Sequence, residues 1–374
     1  MAYKVMLIEN NRVMLERLSS VIRGIDNYDL EARFQQAGDA LGQGAMYQPD
    51  LILLDIDAGH NLSLISEFAS VYKNAAILCL SSNWDATNAA KMVQFGAKGY
   101  LLKPFNAKEF MEAVDTFGKT GMAASSETLA FFSPKGKSGK TTLIANLAVS
   151  LAKKSGEAVG VIDADLQFGD MSVFFNLSPQ STIVEAARDI KFLSPITLNS
   201  YFAEVPEVEK MRILCGTRKP DYAELVDIEN FEEVVKMAQS LFRYVLIDLP
   251  PGFNPISISA AELSTKTYMV SMISGGYEIL HVKRALEIFK AWPNVEERLR
   301  PVFTRVSPCE ETQKRWLSQE IKFPVHAILP NEYLMVSAAA NDGRMAVENK
   351  SGSQFAENIN RMADDVIIRR GGSL

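Results

Sequence analysis

From Phe131 to Thr142 the chain reads Phe-Phe-Ser-Pro-Lys-Gly-Lys-Ser-Gly-Lys-Thr-Thr: an apolar entry, a loop of small residues and a Gly-Lys-Thr-Thr exit. Gly136, Ser138 and Gly139 leave room for backbone N–H groups to turn inward onto phosphate oxygens. The helix expected from Thr142 to Leu151 offers the positive end of its dipole to the same anion. Lys140 is placed to meet β and γ phosphates and Thr141 to ligate magnesium, with Lys137 and Thr142 completing the loop. This is the chemistry of a nucleoside triphosphate cradle. A further lysine, Lys135, stands five residues before Lys140, where an ordinary phosphate loop needs no second cation.

Carboxylates follow at the expected places. The apolar run Ala158 to Asp163 ends in Asp163-Ala164-Asp165, two acids two residues apart that can reach toward a metal or an attacking water. Tyr244 to Asp248 is a buried-strand pattern ending in an acid, from which Asp248 would hold the magnesium shell through water. Pro250-Pro251-Gly252 then forms an irregular loop able to register a γ phosphate. A separate group lies in the first third of the chain: Glu9, Asp55, Ser81 and Lys103-Pro104 each follow an apolar run. A carboxylate, a hydroxyl and a lysine gathered at strand ends make a phosphoacceptor pocket. Asn10 stands beside Glu9 where a second acid would help hold a dication, so metal affinity there is expected to be reduced, and phosphorylation of Asp55 stays open.

These residues need strands that end side by side. Val5 to Ile8, Asp50 to Asp55, Ala76 to Leu80 and Gly99 to Leu102 are apolar runs separated by helix-like segments, the pattern of a parallel sheet covered on both faces. A second series runs through Leu129–Ser133, Ala158–Asp163, Arg212–Leu214, Tyr244–Asp248, Tyr268–Ser271 and Pro301–Thr304. Between them Gly118 to Ser126 is made of small residues without periodicity. The expected architecture is α/β, two doubly wound parallel-sheet domains in series, over residues 1–118 and 129–374 with a linker at 119–128.

The 374 residues are 47% apolar and 22% charged, ample for two cores. A net charge of −6, from 39 basic and 45 acidic residues, draws the molecule toward neither nucleic acid nor an anionic membrane. Cys79, Cys215 and Cys309 are widely spaced and form no paired motif, which fits a reducing compartment rather than a disulfide or zinc framework. No charged leader with an apolar core precedes Lys4–Ile8 and no apolar run reaches bilayer length, so a cytoplasmic location is expected.

The first segment resembles the response-regulator receiver family, a flavodoxin-like fold. That resemblance implies Asp55 as phosphoacceptor, Ser81 as switch hydroxyl, Lys103 as the lysine that senses the phosphoryl group, and a histidine kinase as a partner. The phosphate loop with Lys135, followed by Asp165 and Asp248, resembles the deviant Walker A P-loop ATPases of the ParA/MinD class. By that resemblance the cofactors are ATP and Mg2+, and Lys135 reaches across a homodimer interface. Lys140 binds phosphate in its own subunit, Asp165 orients the hydrolytic water, and Asp248 belongs to the second Walker motif. The usual loop has glycine at Lys137. The segment Ala327 to Glu332, with Pro330 and Asn331, resembles the family's adenine side, and the customary asparagine after the preceding strand is Thr304 here. The two modules together look most like the TadZ/CpaE family. This implies a weak ATPase that localises Tad/Flp pilus machinery, often at a cell pole, reaching the membrane through partners.

Alternatives are a DNA-partition ATPase, which the overall charge does not favour, and an ATP-binding scaffold controlled by its receiver without turnover. An iron–sulphur ATPase is a further reading, but no cysteine follows Pro250-Pro251-Gly252-Phe253. At the end of the chain, Phe355, Ile359, Met362 and Val366 lie at helical spacing ahead of Arg369-Arg370. They read as a helix packed on its own domain, the alternative being a membrane-surface helix.

Overall fold

The computed structural model describes residues 3–43, 46–58, 61–120, 126–217, 219–348 and 352–368. The chain forms two compact units, Met1–Ser125 with Phe192–Asn199, and Ser126–Lys191 with Ser200–Leu374.

In the first unit, strands β1 (Tyr3–Ile8), β2 (Tyr28–Phe34), β3 (Leu51–Asp55), β4 (Ala76–Ser81) and β5 (Gly99–Leu102) form a parallel sheet in the order β2-β1-β3-β4-β5. Helices α1 (Arg12–Arg23), α2 (Ala37–Gly42), α3 (Asn61–Val71), α4 (Ala86–Gln94) and α5 (Ala107–Thr120) alternate with them. The order reverses between β1 and β3, so the carboxyl ends of those strands open a crevice for the site. Strand β2 was not anticipated. Its sequence, Tyr-Asp-Leu-Glu-Ala-Arg-Phe, alternates charge with apolar residues because an edge strand is only half covered.

The second unit holds β6 (Glu127–Phe132), β7 (Val159–Asp163), β8 (Ala203–Glu204), β9 (Met211–Leu214), β10 (Tyr244–Asp248), β11 (Lys266–Met272), β12 (Leu299–Val306) and β13 (Ala327–Pro330). Their order is β13-β12-β11-β6-β10-β7-β9-β8, parallel except for the short edge strand β8, which pairs antiparallel with β9. The helix after the phosphate loop, α6 (Lys140–Ser155), buries Leu143, Ile144, Leu147 and Leu151 completely or nearly so. It packs against the sheet and against a helix at Gln354–Ile368. Phe355, Ile359, Met362 and Val366 are the buried stripe of that last helix, with Ser150 Oγ donating to Asn360 Oδ1 at 2.6 Å and Lys154 paired to Asp364 at 2.5 Å. Each such large apolar side chain contributes about 1.5–3 kcal/mol to the fold. The stripe therefore serves the core, while Arg369 and Arg370 lie outside the described residues.

Of the expected linker, residues 121–125 lie outside the described residues; α5 continues to Thr120, and β6 starts at Glu127, whose N–H donates to Arg243 O at 2.9 Å. Among the described residues no helix is long and apolar enough to cross a membrane.

Candidate nucleotide site and receiver pocket

The phosphate loop leaves β6 and enters α6 through Gly139, whose φ of 83° places it in the left-handed region; no side chain caps the helix. Its first-turn amides are thus available to an anion. Lys137 also adopts a left-handed backbone, φ 62°, and its side chain is exposed. Glycine takes that conformation freely, whereas a residue with a Cβ pays about 1–2 kcal/mol, so the loop keeps the backbone form that glycine favours in spite of the lysine.

Neighbouring strands hold the loop carbonyls. Thr304 Oγ1 donates to Ser138 O at 2.7 Å, Gly252 N–H to Ser133 O at 2.8 Å, and Ser133 Oγ to the carbonyl of Lys135. With these acceptors engaged, the loop's amides are its contribution to an anion. Thr304, which stands where the resemblance has an asparagine, is buried near the end of β12, and its hydroxyl supports the loop from beneath. Thr304→Val keeps the shape and strands the Ser138 carbonyl, and is expected to cost about 1–3 kcal/mol. Thermal melts would register that loss, and nucleotide titration a several-fold weaker affinity; a melt identical to wild type would remove the support role.

Asp248 ends β10 beneath the loop. Its Oδ2 accepts from Thr141 Oγ1 at 2.7 Å, and its Oδ1 lies 3.8 Å from Lys140 Nζ. Among the described residues Oδ1 has no hydrogen-bond partner although it is buried, and the same holds for Ser138 Oγ. Burial pushes the Asp248 carboxyl up to about 6, against the pull of the Lys140 charge and the Thr141 hydrogen bond. A hydroxyl, a buried carboxylate oxygen without a donor and a lysine around an open helix terminus are a fitting donor set for a magnesium-bound triphosphate.

Asp163 pairs in register with Asp248 on the neighbouring strand. Expected to reach toward a metal or an attacking water, it is fully buried and faces its own loop, accepting from Asp165 N–H at 3.3 Å and Met171 N–H at 3.2 Å. A Cβ at Gly169 would come within 2.4 Å of its carboxylate, so the loop closes tightly around it. Burial, then the charge of Asp248, raises its pKa well above the usual carboxylate range. Asp163 braces the segment that carries Asp165, which is half-buried and accepts from Phe168 N–H at 3.3 Å.

On the other side of the loop, Pro330 and Asn331 line a cavity of about 320 Å³ together with Gly139, Thr142, Thr304 and Tyr333. Arg305, not foreseen, also lines it, with φ 56° and its guanidinium 6.0 Å from the Tyr333 ring centre. Lys135 and Gly136 are exposed at the opposite rim.

In the first unit, Glu9, Asp55, Ser81 and Lys103 do converge. Lys103 Nζ lies 2.8 Å from Glu9 Oε2 and 2.6 Å from Asp55 Oδ1, all three side chains being buried. Burial works against the lysine's charge, but its hydrogen bonds to Asp55 and Glu9 outweigh this and raise its pKa. Burial raises the pKa of Glu9 in turn. A further carboxylate was missed: Asp57 sits 3.3 Å from Lys103 and accepts from Ser81 and Ser82. The signal was present in Asp55-Ile56-Asp57, the same acid spacing as Asp163-Ala164-Asp165.

A model of the response regulator receiver domain matches residues 5–115, and a model described as NUBPL iron-transfer P-loop NTPase matches residues 125–296. An iron-sulfur cluster carrier protein of Pseudomonas fragi is 27% identical over 173 residues, 46% of this chain and 58% of its own. The chain thus spans about three fifths of that relative's length. The structure of a ParA family ATPase from Chlorobium tepidum superposes with a TM-score of 0.59 at 15% identity, covering 64% of this chain and 99% of its own. The septum site-determining protein MinD of Pyrococcus horikoshii, solved with Mg-ADP, gives 0.55 at 22% identity, covering 66% and 98%. Motifs, sheet order and these likenesses agree, and the chain joins a receiver domain to a P-loop NTPase domain of the ParA/MinD type.

Proposed function

We propose that the P-loop domain binds magnesium-ATP, dimerises on it, and so acts as a slowly hydrolysing switch that localises or assembles Tad/Flp pilus machinery. The observation that carries this reading is the buried, undonated Asp248 Oδ1 beneath an anion cradle whose rim leaves Lys135 exposed. Lys140 neutralises the phosphates from within the subunit, and Thr141 and Asp248 hold the metal, the latter through water. The metal supplies charge neutralisation to the phosphate chain. Asp165 orients the attacking water from a loop anchored on Asp163. Pro330 and Asn331 line the base side.

Dimerisation has a surface suited to it. Phe168, on the loop after β7, is 73% exposed, and Tyr333 and Leu334 beside the cavity are 63% and 83% exposed. Apolar groups at the mouth of a nucleotide site suit coverage by a second copy. Iron–sulphur carriage, named for one relative, is not adopted. Burial pushes the Cys215 thiol up to about 12, and Cys309 is half-buried with a raised pKa, whereas a cluster needs accessible thiolates.

Sedimentation velocity of the full chain tests the switch. A dimer is expected with Mg-ATP and a monomer with Mg-ADP or no nucleotide; a monomer in all three would remove the dimer reading. A mobility shift with duplex DNA at low salt would favour the partition alternative. Deleting the gene in its own cell is expected to abolish surface pili, and normal piliation would remove the pilus assignment while leaving the nucleotide switch in place.

A further inference from the structure

We propose that the carboxylate of Asp57 occupies the seat a phosphoryl group would take beside Asp55, so that the receiver domain holds its switch hydroxyl engaged by its own side chain and accepts no phosphoryl group. The proposal concerns the first domain alone and does not depend on the nucleotide reading of the second.

Asp57 follows β3, two residues after Asp55, and its backbone N–H donates to Asp55 Oδ1 at 3.0 Å. That bond turns the chain back over the pocket. The two Asp57 oxygens then collect the donors a phosphoryl group would need. Ser81 Oγ, at the end of β4, donates to Oδ1. Ser82 gives Oδ2 both its N–H, at 2.9 Å, and its hydroxyl, at 2.8 Å. Lys103 Nζ lies 3.3 Å from the same oxygen. A carboxylate and a phosphoryl group are both anionic oxygen acceptors for N–H, O–H and ammonium donors, and one can satisfy the donors meant for the other.

Electrostatics reinforces the substitution. The Lys103 ammonium already faces Glu9, Asp55 and Asp57. A phosphoryl group carries close to two negative charges where the Asp55 carboxylate carries one, so its attachment would add about one more, and the position that could help recruit a neutralising dication is the uncharged Asn10. Burial disfavours an ionised Asp57, but the Ser81 and Ser82 hydrogen bonds and the Lys103 charge prevail and hold its carboxyl below the usual range. It is the anion at neutral pH.

The loop after β4 is held from its other side as well. Tyr100 OH donates to the Asn83 carbonyl, and the Tyr100 ring meets Trp84 edge-on with centres 5.3 Å apart. Asp57 and Tyr100 together keep residues 81–84 drawn inward with no group attached to Asp55.

Hydrogen exchange of the full chain, read by mass spectrometry on peptides covering residues 80–86, tests this. The probe is beryllofluoride with Mg2+, which adds to an aspartate carboxylate as a tetrahedral anion of phosphoryl shape. In the wild type the Ser82 amide is expected to exchange slowly, with no change on adding the probe. In Asp57→Ala it is expected to exchange at least about tenfold faster, and the probe, now admitted to Asp55, restores the protection. Should Asp57→Ala lose protection in β3 as well, Asp57→Asn carries the same comparison, because it keeps size and one acceptor while losing the charge. Added protection in the wild type on probe binding overturns the proposal. So does unchanged exchange in the variant, or failure of the probe to restore protection there.

Discussion

Lys140→Ala is expected to weaken Mg-ATP binding by at least about 100-fold, the scale of a lost buried charge-assisted contact of about 3 kcal/mol. The lysine is 7% exposed at the first position of α6. Its removal has a second, pH-dependent consequence in the nucleotide-free protein. Lys140 is the charge that lowers the Asp248 carboxyl toward its position near 6, and without it that pKa rises further. A carboxylate whose folded pKa is raised destabilises the fold where it is ionised, and the penalty fades as pH falls through the folded value. The variant should therefore be less stable than wild type by about 1–3 kcal/mol at pH 8, with the gap closing as pH falls from the variant's raised value to the wild-type value near 6 and gone below it. Lys140→Met, which keeps the length of the side chain, should show the same two effects. Calorimetric titration with Mg-ATP and melts at pH 8 and 5.5 measure both; wild-type affinity in either variant would remove Lys140 from the site.

Lys135→Ala is expected to do the opposite: nucleotide affinity of the monomer changes less than about threefold, while the ATP-dependent dimer weakens by about 30-fold or more. Lys135 is exposed, and among the described residues its ammonium makes no ion pair or hydrogen bond. Only its carbonyl is engaged, by Ser133. A solvated lysine at the rim of its own site contributes little there. Desolvated against a partner's triphosphate it is worth about 2 kcal/mol or more, within the roughly 1.5–7 kcal/mol found for close charge pairs across an interface. Sedimentation at several concentrations separates the two quantities. A dimer of unchanged strength would leave the lysine without a role across the interface, even if ATP binding and dimerisation both stood.

The legible part of the chain was local. The phosphate loop could be read because its chemistry is built within one strand end, one loop and one helix turn, where spacing and geometry are nearly the same information. The buried strands β3, β7 and β10 were equally plain, since a strand covered on both faces must be apolar throughout. Edge strands carry no such mark: β2 alternates charge, and β8 is two residues long.

What tertiary structure decided was which distant residues meet. Thr304 lies 166 residues from Ser138, and it becomes the loop's support only because β12 ends near the loop. Asp163 and Asp57 both belong to an Asp-x-Asp pair, yet one serves its own loop and the other reaches Ser81, Ser82 and Lys103 at the ends of β4 and β5. By itself the sequence determined that a small-residue loop joins a buried strand to a helix at Lys140, and that Glu9, Asp55, Ser81 and Lys103 stand at strand ends. Only the packed sheets decided which donors those residues receive, because a hydrogen bond depends on positions within a few tenths of an ångström, and those are set by strand order and register rather than by spacing along the chain.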